Sequence, residues 1–349
     1  MAMKRDHRAP TATADAMSPT PDGGQTMTAI VQDKYGGPEV LRLEEIDRPR
    51  IGDDEVLVRV HAAGVDRGAW HLMTGLPYPV RFAGYGVRTP KTRVRGRDVA
   101  GSVEAVGANV TRFRVGDEVF GIGEGGFAEY ATATPGKLAP KPRNLTFVQA
   151  AAVPISALTA LQAVRDGGQV KPGQKVLVIG ASGGVGTFAV QIAKAFGAEV
   201  TGVAGTAKLD LVRSLGADHV IDYTRGDITD GGRRYDVILD MGGNRSLRHL
   251  RRALTPAGTL VIVGGETGGR WMGGYDRGFR ALVLSRFVGQ HLRMLTNSEN
   301  AEDLTVLTEL IESGAVKPAV DRIYPLRETP TAIQYMMDGH ARGKLVITV

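Results

Sequence analysis

Between Thr28 and Phe120 the apolar positions come in short bursts: Thr28–Val31, Glu55–His61, Gly101–Val106 and Glu118–Phe120. Clusters of Gly, Asp and Pro separate them, so each run predicts a strand, and their spacing over residues 28–145 predicts a compact, mostly β, barrel-like domain. The pattern then changes. Phe147–Val164 carries no charge, but it contains Gln149, Pro154, Ser156, Thr159 and Gln162. That predicts a buried helix broken at Pro154 rather than a membrane span.

Lys175–Gly180 is a short apolar run that predicts a buried parallel strand. From there Val185, Ala189, Ile192, Ala193 and Phe196 recur at helical spacing until Gly197 stops them. Strand 199–204, helix 209–215 with Gly216, strands 219–223 and 235–240, helix 247–254 and strand 259–264 follow. This alternation implies right-handed crossovers and a doubly wound parallel sheet. Helix 303–313 is closed by Gly314, and the strand-like segments Asp321–Tyr324 and Lys344–Val349 are expected to return to the first domain. Residues 1–26 have no periodicity and mix acids with bases, which predicts a disordered tail rather than a secretory or transit segment.

Composition narrows the chemistry. The absence of cysteine excludes disulfides, zinc fingers, iron–sulfur clusters and thiol nucleophiles. Forty-seven glycines beside an ordinary proline content point to tight turns and close backbone approaches. The net charge of +6 is modest, and it concentrates in Arg81, Arg88, Lys91, Arg93, Arg95 and Arg97, a run from Val80 to Arg97 with no acid. Two readings stand for that run: a solvated loop, or an anion-attracting rim of a cleft. With sparse aromatics and no recognition motif, nucleic acid is not expected as a partner, nor is a membrane.

The chemistry-bearing motif lies between the first strand and first helix of the alternating half: Gly180-Ala-Ser-Gly-Gly-Val-Gly186. Read from Ala181 it fits the dinucleotide fingerprint, with Gly183 for backbone approach to a pyrophosphate and Gly186 for close helix–strand packing. The helix N-terminus adds unpaired N–H groups and a partial positive charge. At the end of the second strand an NAD site places an acid to accept from the ribose 2′-hydroxyl. Here the chain reads Val203-Ala-Gly-Thr-Ala-Lys208. The missing acid favours NADP over NAD, with Lys208 either a counter-charge to the 2′-phosphate or a solvated residue in a first helical turn.

Several further motifs carry a resemblance. Gly96-Arg-Asp-Val-Ala-Gly-Ser-Val-Glu-Ala-Val-Gly107, Val115-Gly-Asp-Glu-Val-Phe-Gly121, Gly126-Phe-Ala-Glu-Tyr130, the Thr159-Ala160 pair and Ala181–Gly186 occur in the order seen in medium-chain dehydrogenase/reductases. From Met27 to Val349 the chain resembles the zinc-independent quinone oxidoreductase branch, the zeta-crystallin-like enzymes and their mitochondrial reticulon-interacting relatives. The resemblance implies an α/β fold: a GroES-like β barrel (27–150 and 293–349) with a doubly wound parallel-sheet Rossmann domain (151–292). It also implies NADPH as cofactor, a quinone or another α,β-unsaturated carbonyl as substrate, and a homodimer, here expected in the cytoplasm.

By resemblance, Thr159 lines the nicotinamide side of the cleft, and Ser182, Gly183, Gly184 and Val185 hold the pyrophosphate. Gly205, Thr206, Lys208 and Tyr223 hold the 2′-phosphate, and Val263 and Gly264 form the strand end near the nicotinamide. Tyr223 also has a plainer reading as a packed strand-end aromatic. Zinc-dependent relatives place a cysteine and a histidine where this chain has Asp66 and Arg97. A guanidinium cannot ligate zinc and repels it, so metal-free chemistry is expected. Reduction of a conjugated carbonyl then needs hydrogen-bond donors and a proton. Asp66, Trp70, His71, Tyr78 and Tyr85 are the candidates near the cleft, with Asp66, His71 and Tyr78 taken for that work; Trp70 is read as a wall, His71 equally as a packing residue, and water is an alternative proton source. Two other functions stay open: an NADP-dependent alcohol or aldehyde oxidoreductase, and an NADPH-binding interaction or redox-sensing protein.

Overall fold

The computed structural model describes residues 25–243, 245–265 and 269–349. The tail expected over residues 1–26 lies outside them, apart from its last two positions, where the first strand already begins. The first half supplies β1 (Thr26–Val31), β2 (Arg42–Asp47), β3 (Val56–Val65), α1 (Arg67–Thr74), β4 (Asp98–Val106), β5 (Glu118–Ile122), β6 (Tyr130–Ala133) and β7 (Leu138–Pro140). The uncharged stretch becomes α2 (Phe147–Ala151) and α3 (Pro154–Gln162). Pro154 opens the second helix, where its missing N–H costs nothing.

Strands and helices then alternate: β8 (Lys175–Ile179), α4 (Gly184–Ala195), β9 (Glu199–Ala204), α5 (Leu209–Ser214), β10 (His219–Asp222) and β11 (Tyr235–Asp240). They continue with α6 (Leu247–Ala253), β12 (Leu254–Ile262), α7 (Gly269–Met272), α8 (Tyr275–Ser285) and β13 (His291–Met294). The chain closes with α9 (Ala301–Glu312), β14 (Val320–Pro325), α10 (Thr329–Met337) and β15 (Lys344–Thr348).

Two large sheets result. One is parallel, in the order β10-β9-β8-β11-β12-β13, so the strand order reverses beside β8, and ligands bind outside the carboxyl ends of strands at such a switch point. The other runs β14-β15-β3-β4-β5-β7, with β6 on β3, so the last strands do return to the first half of the chain. A β1–β2 ribbon joins it through the Ala29–Ala128 and Val31–Val94 bridges.

The strand expected at 259–264 instead begins at Leu254, because a register shift against β11 accommodates Pro256. Short elements such as β7, β13 and α7 escaped the periodicity argument because three or four residues define no period. The two halves share apolar packing: Ala62, Ala100 and Phe120 of the barrel lie in one cluster with Leu158, Val178 and Phe188. That explains why α3 carries no charge. It is the buried wedge between two sheets.

Candidate active site

At the carboxyl end of β8 the chain turns through Gly180, whose φ of 82° is open only to glycine at low cost. Helix α4 starts at Gly184 with Gly183 as its N-cap, and no side chain caps it. Its first N–H groups are therefore left for a ligand, and the helix dipole favours an anion there. A Cβ on Gly186 would lie 2.1 Å from the Gly180 carbonyl oxygen, so only glycine lets α4 sit this close to the strand end. Ser182 is buried at the same turn, and Val185 packs against the shared core. A bridge from Gly183 to Gly343 ties this loop to the start of β15.

The residues expected around a 2′-phosphate converge in part. Tyr223, at the end of β10, is exposed rather than packed, and a Cβ on Gly205 would lie 3.2 Å from its hydroxyl. Lys208 Nζ donates to the Gly339 and Ala341 carbonyls at 2.7 and 2.8 Å, so the ammonium is held beside the loop before β15. Burial and the neighbouring Arg342 push its pKa down, against Asp321. The Thr206 hydroxyl donates to Asp222 at 2.5 Å and meets Thr224. Arg342 was missed by sequence reasoning, since it lies far along the chain from the fingerprint.

Across the cleft, Thr159 Oγ1 donates to Ile155 O at 2.7 Å and accepts from Asn297 Nδ2 at 3.0 Å. Val263 and Gly264 follow β12, and both N–H groups donate to Asp240 O. Asp66 caps α1: Oδ1 accepts from Ala69 N at 2.9 Å, while the buried Oδ2 has no hydrogen-bond partner among the described residues. His71 Nδ1 bonds to Leu76 O at 2.6 Å and its ring meets Trp70 edge-on. Trp70 also packs against the barrel core. Tyr78 sits on the loop after α1, edge-on to Trp271.

Arg97 makes a two-pronged ion pair with Glu299 at 2.7 and 2.8 Å, and Lys137 meets the same carboxylate at 2.9 Å. Burial works against the Glu299 carboxylate, but the hydrogen bonds from Arg97 and Lys137 outweigh it and hold its pKa low. Beside Arg97, Asp98 Oδ1 accepts from Ile155 N at 2.8 Å, and Oδ2 accepts from Lys344 Nζ at 2.9 Å. Lys344 also reaches Ser156 Oγ at 3.1 Å. Asp98 is 0% exposed and Lys344 2%. Burial raises the Asp98 carboxyl to about 6 against the pull of Lys344, with Asp66 adding repulsion.

The basic run resolves mostly into structural contacts. Arg81 donates to Gly75 O and stands over the Tyr35 ring, Arg93 pairs with Asp33 and Glu44, and Arg95 donates to Gln32. Glu299, Asn297, Asp98 and Lys344 were not singled out from the sequence. Lys344 had a faint signal, a lysine opening an otherwise apolar terminal strand.

Two family models match the chain, one described as an alcohol dehydrogenase GroES-like domain over residues 52–143, the other as a zinc-binding dehydrogenase over 215–347. The chain is 34% identical over 366 residues to the NAD(P)H oxidoreductase RTN4IP1, mitochondrial, of Mus musculus, covering 95% of this chain and 92% of that one. It is 35% identical over 356 residues to a chloroplastic NADPH-dependent alkenal/one oxidoreductase of Arabidopsis thaliana, covering 96% and 81%. Among solved structures, the quinone oxidoreductase from Coxiella burnetii superposes with a TM-score of 0.81 at 28% identity, over 93% of this chain and all of that one.

Proposed function

The chain belongs to the medium-chain dehydrogenase/reductase family, and from that premise we propose that it reduces quinones or other α,β-unsaturated carbonyls with NADPH and without zinc. Its coarser activity, that of an NAD(P)H oxidoreductase acting on small molecules, follows from the same kinship. The observation that carries the finer reading is the Arg97–Glu299 pair, which stands where zinc-dependent relatives place a histidine ligand.

The residues present do not fit zinc. Arg97 has no lone pair to offer and its charge is locked onto Glu299, while one oxygen of Asp66 is committed to capping α1. Among the described residues no three His, Asp or Glu side chains stand together as a metal site. The residues do fit a dinucleotide. The open N-terminus of α4, reached by Gly183 and Gly184 and kept close by Gly186, would take the pyrophosphate. Gly205, Lys208 and Tyr223, joined by Arg342, would take the 2′-phosphate. A nicotinamide cofactor held there would supply the hydride for reduction of a conjugated carbonyl.

The chain's own work is to orient and to move a proton. Thr159, steadied by Asn297, stands at the nicotinamide end with Val263 and Gly264. Asp66 Oδ2, buried and without a hydrogen-bond partner among the described residues, is the first candidate to carry a proton to the enolate or hydroquinone anion. His71, with Nδ1 committed to Leu76 O, is the second candidate, and Tyr78 acts as a wall. We also infer a homodimer: β13 is a sheet edge beside α8, whose Phe279 and Val283, with Phe287 just beyond, are exposed. Light scattering tests that.

The test of function is NADPH oxidation across a panel of quinones, enones and aldehydes, with titrations of NADPH and NADH by calorimetry. Quinones and enones should be turned over without added metal and with chelator present. NADPH should bind more tightly than NADH, and Lys208→Ala should narrow the gap. Equal affinity in the wild type would overturn the 2′-phosphate assignment, and turnover confined to aldehydes would overturn the substrate class.

A further inference from the structure

Two segments from opposite halves of the molecule meet at one end of the cleft. A Cβ on Gly274, at a φ of 86°, would lie 2.4 Å from the Gly265 carbonyl oxygen. The chain is therefore pinned back onto Gly265 after its excursion, one residue beyond Gly264 at the nicotinamide end. Within that excursion, α7 reaches the barrel. Tyr78 N–H donates to Arg270 O at 2.9 Å, and a Cβ on Gly273 would lie 2.4 Å from Pro77 Cγ. The Tyr78 and Trp271 rings stand edge to face at 5.1 Å and 69°. Tyr78 lies on the loop that follows α1, the helix capped by Asp66.

Backbone hydrogen bonding and glycine packing thus hold Trp271 in place from both sides, yet 76% of it is left exposed, and Met272 beside it is 41% exposed. An indole whose backbone is held by contacts from two halves of a molecule and whose ring is left open to solvent presents an apolar face to a ligand. Neither ring carries charge, so what that face recognises is a flat or extended apolar group.

We propose that Trp271, braced by Tyr78, is the specificity-determining wall of the substrate site, and that it selects conjugated carbonyl substrates bearing a second ring or an apolar chain over small ones. This rests on the reading of the protein as a quinone or enone reductase. The reacting end of the substrate lies toward Asp66 and Thr159, and the ring or chain lies along the indole.

The test compares p-benzoquinone with 1,4-naphthoquinone in NADPH oxidation by the wild type, Trp271→Ala and Trp271→Phe. An aromatic contact of this kind predicts an about three- to tenfold rise in KM for naphthoquinone in Trp271→Ala, with kcat kept. The KM for p-benzoquinone should stay within about twofold, below the smallest aromatic contact, and Trp271→Phe should recover most of the loss. An equal change for both quinones, or none, would overturn the proposal.

A second readout needs no turnover. The chain has two tryptophans, so in a Trp70→Phe background the emission is that of Trp271. With NADP+ bound, naphthoquinone should quench it saturably and p-benzoquinone only in proportion to concentration. Absence of saturable quenching by naphthoquinone overturns the wall. If the wild type turns over neither quinones nor enones, the functional reading falls, and the quenching experiment still decides the wall.

Discussion

Lys344→Met removes the cation from the buried Asp98–Lys344–Ser156 cluster and keeps an apolar stem of similar volume. At 2.9 Å and an effective dielectric of about 20, the two charges attract by about 6 kcal/mol. Desolvating each ion costs several kcal/mol, so the intact pair contributes little net stability. Removing one partner is different. It strands a carboxylate that is 0% exposed, and such losses run to about 3–5 kcal/mol.

The pH dependence makes the reasoning specific. The Asp98 pKa in the folded protein, about 6, lies above its usual value of 3.8, so the fold binds this proton more tightly than the unfolded chain does. Its contribution is therefore fully present below 3.8 and is lost as pH rises toward 6. Without Lys344 the folded pKa rises further, and the loss continues above 6 at about 1.4 kcal/mol per pH unit. The deficit of Lys344→Met against wild type should thus grow as pH rises above about 6. Urea midpoints and slopes at several pH values measure it, and Asp98→Asn in the Lys344→Met background should flatten the dependence. A deficit that stays constant with pH, or a double variant that retains the slope, would refute the argument.

Arg97→Met should cost roughly 2 kcal/mol at pH 7, because Glu299 keeps only Lys137. Since the Glu299 pKa is depressed in the fold, that difference should be present at neutral pH and disappear as the carboxylate protonates in acid; Arg97→Lys, lacking the planar fork, should recover less than half of it. Asp66→Asn keeps the cap on α1 but not the ionisable oxygen, so kcat should fall by about tenfold or more with an unchanged unfolding midpoint. Asp66→Ala should add about 1 kcal/mol of destabilisation through the lost cap. Gly186→Ala drives a Cβ into the Gly180 carbonyl, and calorimetry should find NADPH binding lost.

Much of the proposed cofactor site was legible because its determinants are local. A strand, a glycine turn and a helix are consecutive in the chain, and Gly180 and Gly186 are defined by backbone conformation and by what a Cβ would hit. Tyr223 came close to its neighbour Gly205 because adjacent parallel strands end together. The cleft was less legible, since its contacts join residues some two hundred positions apart: Arg97 with Glu299, Asp98 with Lys344, Tyr78 with Arg270 and Trp271.

Thr206 shows the limit even within a motif, because its hydroxyl bonds to Asp222 on the next strand, a partner the motif does not specify. Chain periodicity and spacing determined the central strands and helices of the parallel sheet and the glycine turn between β8 and α4, since those follow from backbone geometry over a few residues. Which charges are neutralised, which carboxylate oxygen is left without a partner and which aromatic stays open were decided by tertiary packing. Burial and partner distance set the energy of a charge or a ring, and neither exists until the two sheets meet.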